Sequence, residues 1–158
     1  MTLSHADDTG TVHMVDVGAK PVSERVATAT GVVRCSEECF EALRTGAVAK
    51  GDVLTTARLA GIMAAKRTPE LIPLCHPVAL THVEVSVELD DATRTVIIAA
   101  TARCTGQTGV EMEALTAVAV AALTVIDMAK AVDPWMSIDA VALQHKQGGR
   151  SGRRDRPS

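Results

Sequence analysis

Near the end of a long apolar run, Asp127 and Lys130 stand three residues apart in Asp127-Met128-Ala129-Lys130. At helical spacing the two share a face, where they can make a surface ion pair or pass protons to a bound molecule. The surrounding run is so apolar that the pair is expected to be at least partly buried, and burial would poise Lys130 as a general acid or base. A second group is Pro73-Leu74-Cys75-His76-Pro77, whose two prolines stiffen the loop and give His76 one direction of approach. His76 there reads equally as a functional side chain or as a loop histidine held by hydrogen bonds. Cys75 beside it raises the question of a metal, but no third and fourth ligand stand at zinc spacing, so no metal centre is expected.

A third group is Thr105-Gly106-Gln107-Thr108-Gly109-Val110-Glu111-Met112-Glu113. Glycines and threonines before a helix start offer free amides to an anion, yet two carboxylates in the first turn would oppose a phosphate. Successive helical residues differ by about 100°, so Glu111 and Glu113 point to nearly opposite sides. Thr108 and Glu111 fit a capping box, which would occupy Glu111 and leave Glu113 to bind the amide or amine edge of a ligand. Asp127 lies fourteen residues beyond Glu113, about 21 Å along one helix. Either the ligand is long, as a nucleotide with a phosphate chain is, or two subunits share the site. Lys146-Gln147-Gly148-Gly149-Arg150-Ser151-Gly152 matches neither a P-loop nor a dinucleotide fingerprint; it could wrap phosphates or be a solvated tail.

These groups sit in a chain of 158 residues and net charge −3. Four of the eleven arginines lie at or beyond Arg150, opposed only by Asp155, so residues 1–149 carry −6. Such a body has no broad basic field for nucleic acid or membrane lipid. Phe40 and Trp135 are the only aromatics, so Ala and Val must build the core and no stacking platform for bases is available. No signal peptide or membrane-crossing run is read, and Cys35, Cys39, Cys75 and Cys104 are expected as free thiols in a cytoplasmic protein.

The elements that must position the groups follow from local pattern. Val12–Val17 is a candidate short strand, and Thr28–Arg34 a firmer one. Ser36 caps a helix that Gly46 ends, and Asp52 caps a second that Thr68-Pro69 ends. Val83, Val85, Val87 and Leu89 alternate with polar residues as a half-buried strand does, Asp90–Thr93 supplies a turn, and Thr95–Cys104 returns. A helix over 110–131 and a strand over 137–143 complete the order βαββαβ. That is the order of a ferredoxin-like α+β sandwich, an antiparallel sheet with helices on one face. The division is a flexible segment 1–11, one domain over 12–147, and a flexible Gly/Arg-rich tail over 148–158. The last helix is apolar nearly all round, more than a small two-layer domain can cover, which implies an oligomer.

Taken together, Met14-Val15-Asp16-Val17, Lys50-Gly51-Asp52, the AGI-x-AAKRT-x-x-LIPLCHP run from Ala60, TG-x-TGVEMEALTA from Thr105, DM-x-KAV from Asp127 and K-x-GG-x-SG from Lys146 resemble one family. It is the cyclic pyranopterin monophosphate synthase family, also called the molybdenum cofactor biosynthesis protein C family. The resemblance spans residues 14–152. It implies a lyase that converts 3′,8-cyclo-7,8-dihydro-GTP into cyclic pyranopterin monophosphate and releases pyrophosphate. It also implies a ferredoxin-like fold and a hexamer of three dimers with sites at subunit interfaces.

Carried over by motif, the resemblance makes Asp127 the catalytic acid and base with Lys50 and Lys130 as partners. Leu74, Cys75, His76, Glu111, Met112 and Glu113 then line the substrate pocket, and Lys66, Arg67, Lys146 and Arg150 are candidates for the phosphates. Arg150 stands where the family pattern has Lys; the charge survives. No redox cofactor is implied, because rearrangement and diphosphate loss move neither hydride nor electrons, though a magnesium ion could accompany the triphosphate. The alternatives are a non-catalytic regulatory module on the same sandwich and a general nucleotide phosphohydrolase.

Overall fold

A computed structural model describes residues 12–157; the segment 1–11, expected to be flexible, lies outside the described residues. Alternating Thr, Ala and Val make Ser23–Arg34 the central strand β1. Ser36 accepts from the Cys39 amide and Gly46, at φ 71°, closes helix α1 (Glu37–Thr45). Asp52 accepts from the Thr55 amide at 3.0 Å and starts α2 (Val53–Lys66), after which Pro69 opens the single-turn α3 (Thr68–Leu71). β2 (Leu80–Asp90) and β3 (Thr95–Gly106) form a hairpin whose turn is fixed by the Ala92 amide donating to Asp90. α4 (Glu111–Ala129), β4 (Ser137–Gln147) and β5 (Arg154–Asp155) follow.

The sheet runs β2-β3-β1-β4-β5 with every neighbour antiparallel. Its first four strands have the βαββαβ connectivity expected. α4 lies across β1, β3 and β4, and α2 packs along α4 and over β2. Small side chains let these layers approach: Ala27, Ala29, Ala100, Ala102, Ala117 and Ala121 are all buried. At Gly61 of α2 a Cβ would stand 2.9 Å from the Ala117 carbonyl oxygen, so the two helices meet closer than any other residue allows. By length and composition α4 could cross a membrane, but more than half of it is buried, as the core helix of this sandwich.

Three local expectations are corrected. Val12–Val17 forms one bridge at Val12 and no strand, because its chain turns at Asp16, whose carboxylate takes the Gly18 amide at 2.8 Å. The capping box is not made: α4 starts after Val110 with no side-chain cap, and Glu111 instead takes Lys146 Nζ at 2.6 Å. A cation outcompetes a neutral amide for a carboxylate. The last strand extends past Leu143 to Gln147, and the Gly/Arg-rich segment folds back to add β5, pairing His145 with Asp155 and Lys146 with Arg154. At the other end of α4, Asp133 takes the amides of Ser36 (2.7 Å) and Trp135 (2.9 Å), fixing a turn on which Trp135 is 89% exposed.

Candidate active site

The two ends of α4 carry two different groups. At its start, the loop after α3 brings Leu74, Cys75 and His76 against Glu111, Met112 and Glu113 around a cavity of about 310 Å³. These are the six side chains expected in one pocket. Glu113 is only 3% exposed, and burial pushes its carboxyl above the usual range. Its own backbone amide offsets part of that rise and the charge of Glu111 adds to it. The Cys75 thiol is raised too, by burial and then by Glu113. A buried carboxyl that holds its proton more tightly than usual can donate as well as accept a hydrogen bond, as the edge of a nitrogen heterocycle requires.

A second cavity of about 280 Å³ shares Lys20, Thr108, Gly109 and Glu111 with the first and is lined in addition by Arg25, Lys146 and Arg150. Four cations face one carboxylate there. Lys146 and Arg150 were expected to meet an anion; Lys20 and Arg25 were not. Arg25 is anchored by Nε on the Gly106 carbonyl and by Nη2 on the Gln107 carbonyl, both at 3.2 Å. Gln107 Nε2 donates to the Gly18 (2.8 Å) and Lys20 (3.0 Å) carbonyls and so ties the incoming chain across the cavity. The signal available for Lys20 was negative: it was the one lysine outside every motif. Lys66 and Arg67, at the end of α2, line neither cavity.

The far end of α4 holds the third expected group. Lys50, on the loop between α1 and α2, donates to Asp127 Oδ2 at 2.9 Å, and Lys130 donates to Oδ1 at 2.8 Å. The hydrogen bonds from Lys130 and then Lys50, with their charges, hold the Asp127 carboxyl down at about 2. The expectation of burial is corrected: the Asp127 side chain is 58% exposed in the single chain. Val125, Met128 and Ala129 take the inward positions of that turn, which leaves Asp127 and Lys130 facing out. At 1.5 Å per residue, the triad stands more than 20 Å along α4 from Glu113.

Residues 14–149 match the family model described as the MoaC family. The chain belongs to the MoaC family. Relatives named cyclic pyranopterin monophosphate synthase include those of Roseiflexus sp. (strain RS-1), 61% identical over 150 residues and 95% of each chain, and Cereibacter sphaeroides (strain ATCC 17029 / ATH 2.4.9), 54% identical over 151 residues, 96% of this chain and 95% of the relative. That of Thermomicrobium roseum is 57% identical over 150 residues, 95% of this chain and 90% of the relative. The MoaC match takes in the triad and the whole lining of the first cavity. Arg150 and Ser151 of the second lie just past its end.

Proposed function

We propose that the chain is a cyclic pyranopterin monophosphate synthase, a lyase of molybdenum cofactor biosynthesis. It converts 3′,8-cyclo-7,8-dihydro-GTP into cyclic pyranopterin monophosphate and releases pyrophosphate. One observation carries the reading beyond the likeness to named relatives: an acid-lined cavity opens beside a cation-lined one across a shared wall. A purine-derived head with a phosphate chain has that same pairing of chemistries. His76 and Glu113 would hold the edge of the head, and Lys20, Arg25, Lys146 and Arg150 the phosphates. Cations there stabilise the charge that develops on the leaving pyrophosphate as a sugar hydroxyl attacks the α-phosphorus.

Ring opening and reclosure need protons moved on nitrogen and carbon, the work assigned to Asp127, Lys50 and Lys130. An aspartate held at about 2 is a weak base, so substrate that draws off one lysine would strengthen it. The triad cannot reach the cavities of its own chain along α4, so a second copy supplies it. We place the sites at subunit interfaces of a homo-oligomer, a hexamer of three dimers. Lys66 and Arg67 would reach a phosphate only from a neighbouring copy. The four free cysteines accord with a cytoplasmic enzyme.

The test supplies purified protein with 3′,8-cyclo-7,8-dihydro-GTP and follows both products, pyrophosphate by coupled assay and the pterin by mass. Stoichiometric appearance of the two is expected. Pyrophosphate or phosphate without the pterin would replace this reading with a phosphohydrolase.

A further inference from the structure

The cations of the second cavity are not equivalent. Among the described residues, Lys20, Arg25 and Arg150 have no carboxylate within ion-pair distance, and Arg25 is held by carbonyls alone. Lys146 differs. Its Nζ lies 2.6 Å from Glu111 Oε1, with both side chains about two-thirds buried. Glu111 reaches across because the residue two before it is Gly109, where any Cβ would overlap the carboxylate. The carboxylate is also the one acid lining both cavities. It therefore stands among four lining cations, on a lysine about two-thirds buried, at a place where the proposed substrate would put a phosphoryl oxygen.

We infer that Glu111 is a positioning residue that serves as a stand-in anion: it holds Lys146 in place while the cavity is empty and is displaced from it by a phosphoryl group of the ligand. Without such a counter-ion, a partly buried lysine beside three other cations would be repelled outward toward water. With it, the lysine stays aimed, and binding exchanges one anion for another at a site already formed. Because Glu111 also lines the first cavity, its release from Lys146 leaves a charged acceptor facing the head of the ligand at the moment the phosphates seat. Phosphate arrival and head recognition are thus coupled through one side chain.

This inference rests on the reading of the second cavity as the phosphate site, and inorganic pyrophosphate tests the two separately. Calorimetric titration of pyrophosphate into the wild-type assembly, Glu111→Gln and Glu111→Ala should give affinities in the order Ala above Gln above wild type, with the Ala variant about tenfold tighter. The amide can still accept from Lys146 but carries no charge to be displaced, which sets the middle rank. Arg150→Ala should weaken binding in every background. If the Glu111 variants bind pyrophosphate equally or more weakly while Arg150→Ala still costs affinity, Glu111 only props Lys146, and the inference falls with the phosphate site intact. If neither the wild type nor any variant binds pyrophosphate, both readings fall. Thermal melting of each variant separates a local loss from a failure to fold.

Discussion

Lys50 holds Asp127 twice, its Nζ donating to Oδ2 at 2.9 Å and to the backbone carbonyl of the same residue at 2.7 Å. The second bond is the informative one. It fixes Lys50 to the last turn of α4 whatever the carboxylate does, so a ligand that competes for Oδ2 does not lose the lysine. We predict that Asp127→Asn and Lys50→Ala each lower conversion of the cyclic GTP derivative by about 10²–10⁴-fold. Both side chains are half exposed in the chain, so denaturant unfolding should move by less than about 0.5 kcal/mol. Full activity in both variants would remove the triad from the reaction.

Glu113 sets a pH dependence of opposite sign to that of Asp127. Its carboxyl is raised by burial, so as pH climbs past the ordinary carboxylate value the unfolded chain gives up the proton first. Stability is therefore full below that value and declines as pH rises through the folded pKa. Glu113→Gln should melt with the wild type at pH 4 and above it at pH 8. Asp127, held at about 2, contributes stability above its ordinary value of 3.8 and loses it only as pH falls toward 2. Scanning calorimetry of wild type and Glu113→Gln across pH 4–8 checks the Glu113 slope, and parallel curves would contradict the Glu113 assignment.

Gln107 and Lys20 should act as a unit. Two hydrogen bonds from the Gln107 amide hold the backbone on which Lys20 stands. Loss of a charge-assisted contact to phosphate is expected to raise KM about tenfold in Lys20→Ala. Gln107→Ala should shift KM in the same direction by less, and the double variant should fall short of the product of the two. Independent, multiplicative effects would show that Gln107 does not place the lysine.

Separation of the triad from the cavities makes a mixing experiment decisive for the shared site. Asp127→Asn and His76→Ala subunits, each inactive alone, should recover roughly a quarter of wild-type activity when denatured and reassembled together in equal amounts, since a site needs one intact group from each of two copies. No recovery would mean that one chain completes its own site.

Much of the sandwich was legible because its signals are local. Ser36, Gly46 and Asp52 read as caps and act as caps, and the alternation from Val83 to Leu89 points one face of β2 inward. What failed was decided by residues far apart in the chain. Thr108 and Glu111 have capping-box spacing, but Lys146 arrives from β4, thirty-five residues on, and takes the carboxylate. β5 is two residues of backbone ladder with no apolar pattern to announce it. Asp127 looked buried because its neighbours are apolar, yet a helix can turn one polar face outward at its last turn. Of the site, the motif residues around the first cavity were readable. Lys20 and Arg25 were not, because a cavity wall assembled from a turn and the first residues of a strand leaves no spacing in the sequence.

The chain has no tyrosine and one tryptophan, Trp135, standing almost bare on the turn that follows α4. Its ultraviolet emission therefore comes from a single indole, five residues past Lys130, with water on nearly every side. Anything that covers that end of the molecule, a second copy above all, would shift the emission to shorter wavelength. The protein carries its own optical gauge of assembly, readable by dilution without a label and placed at the end of α4 where the proposed shared site would meet its neighbour.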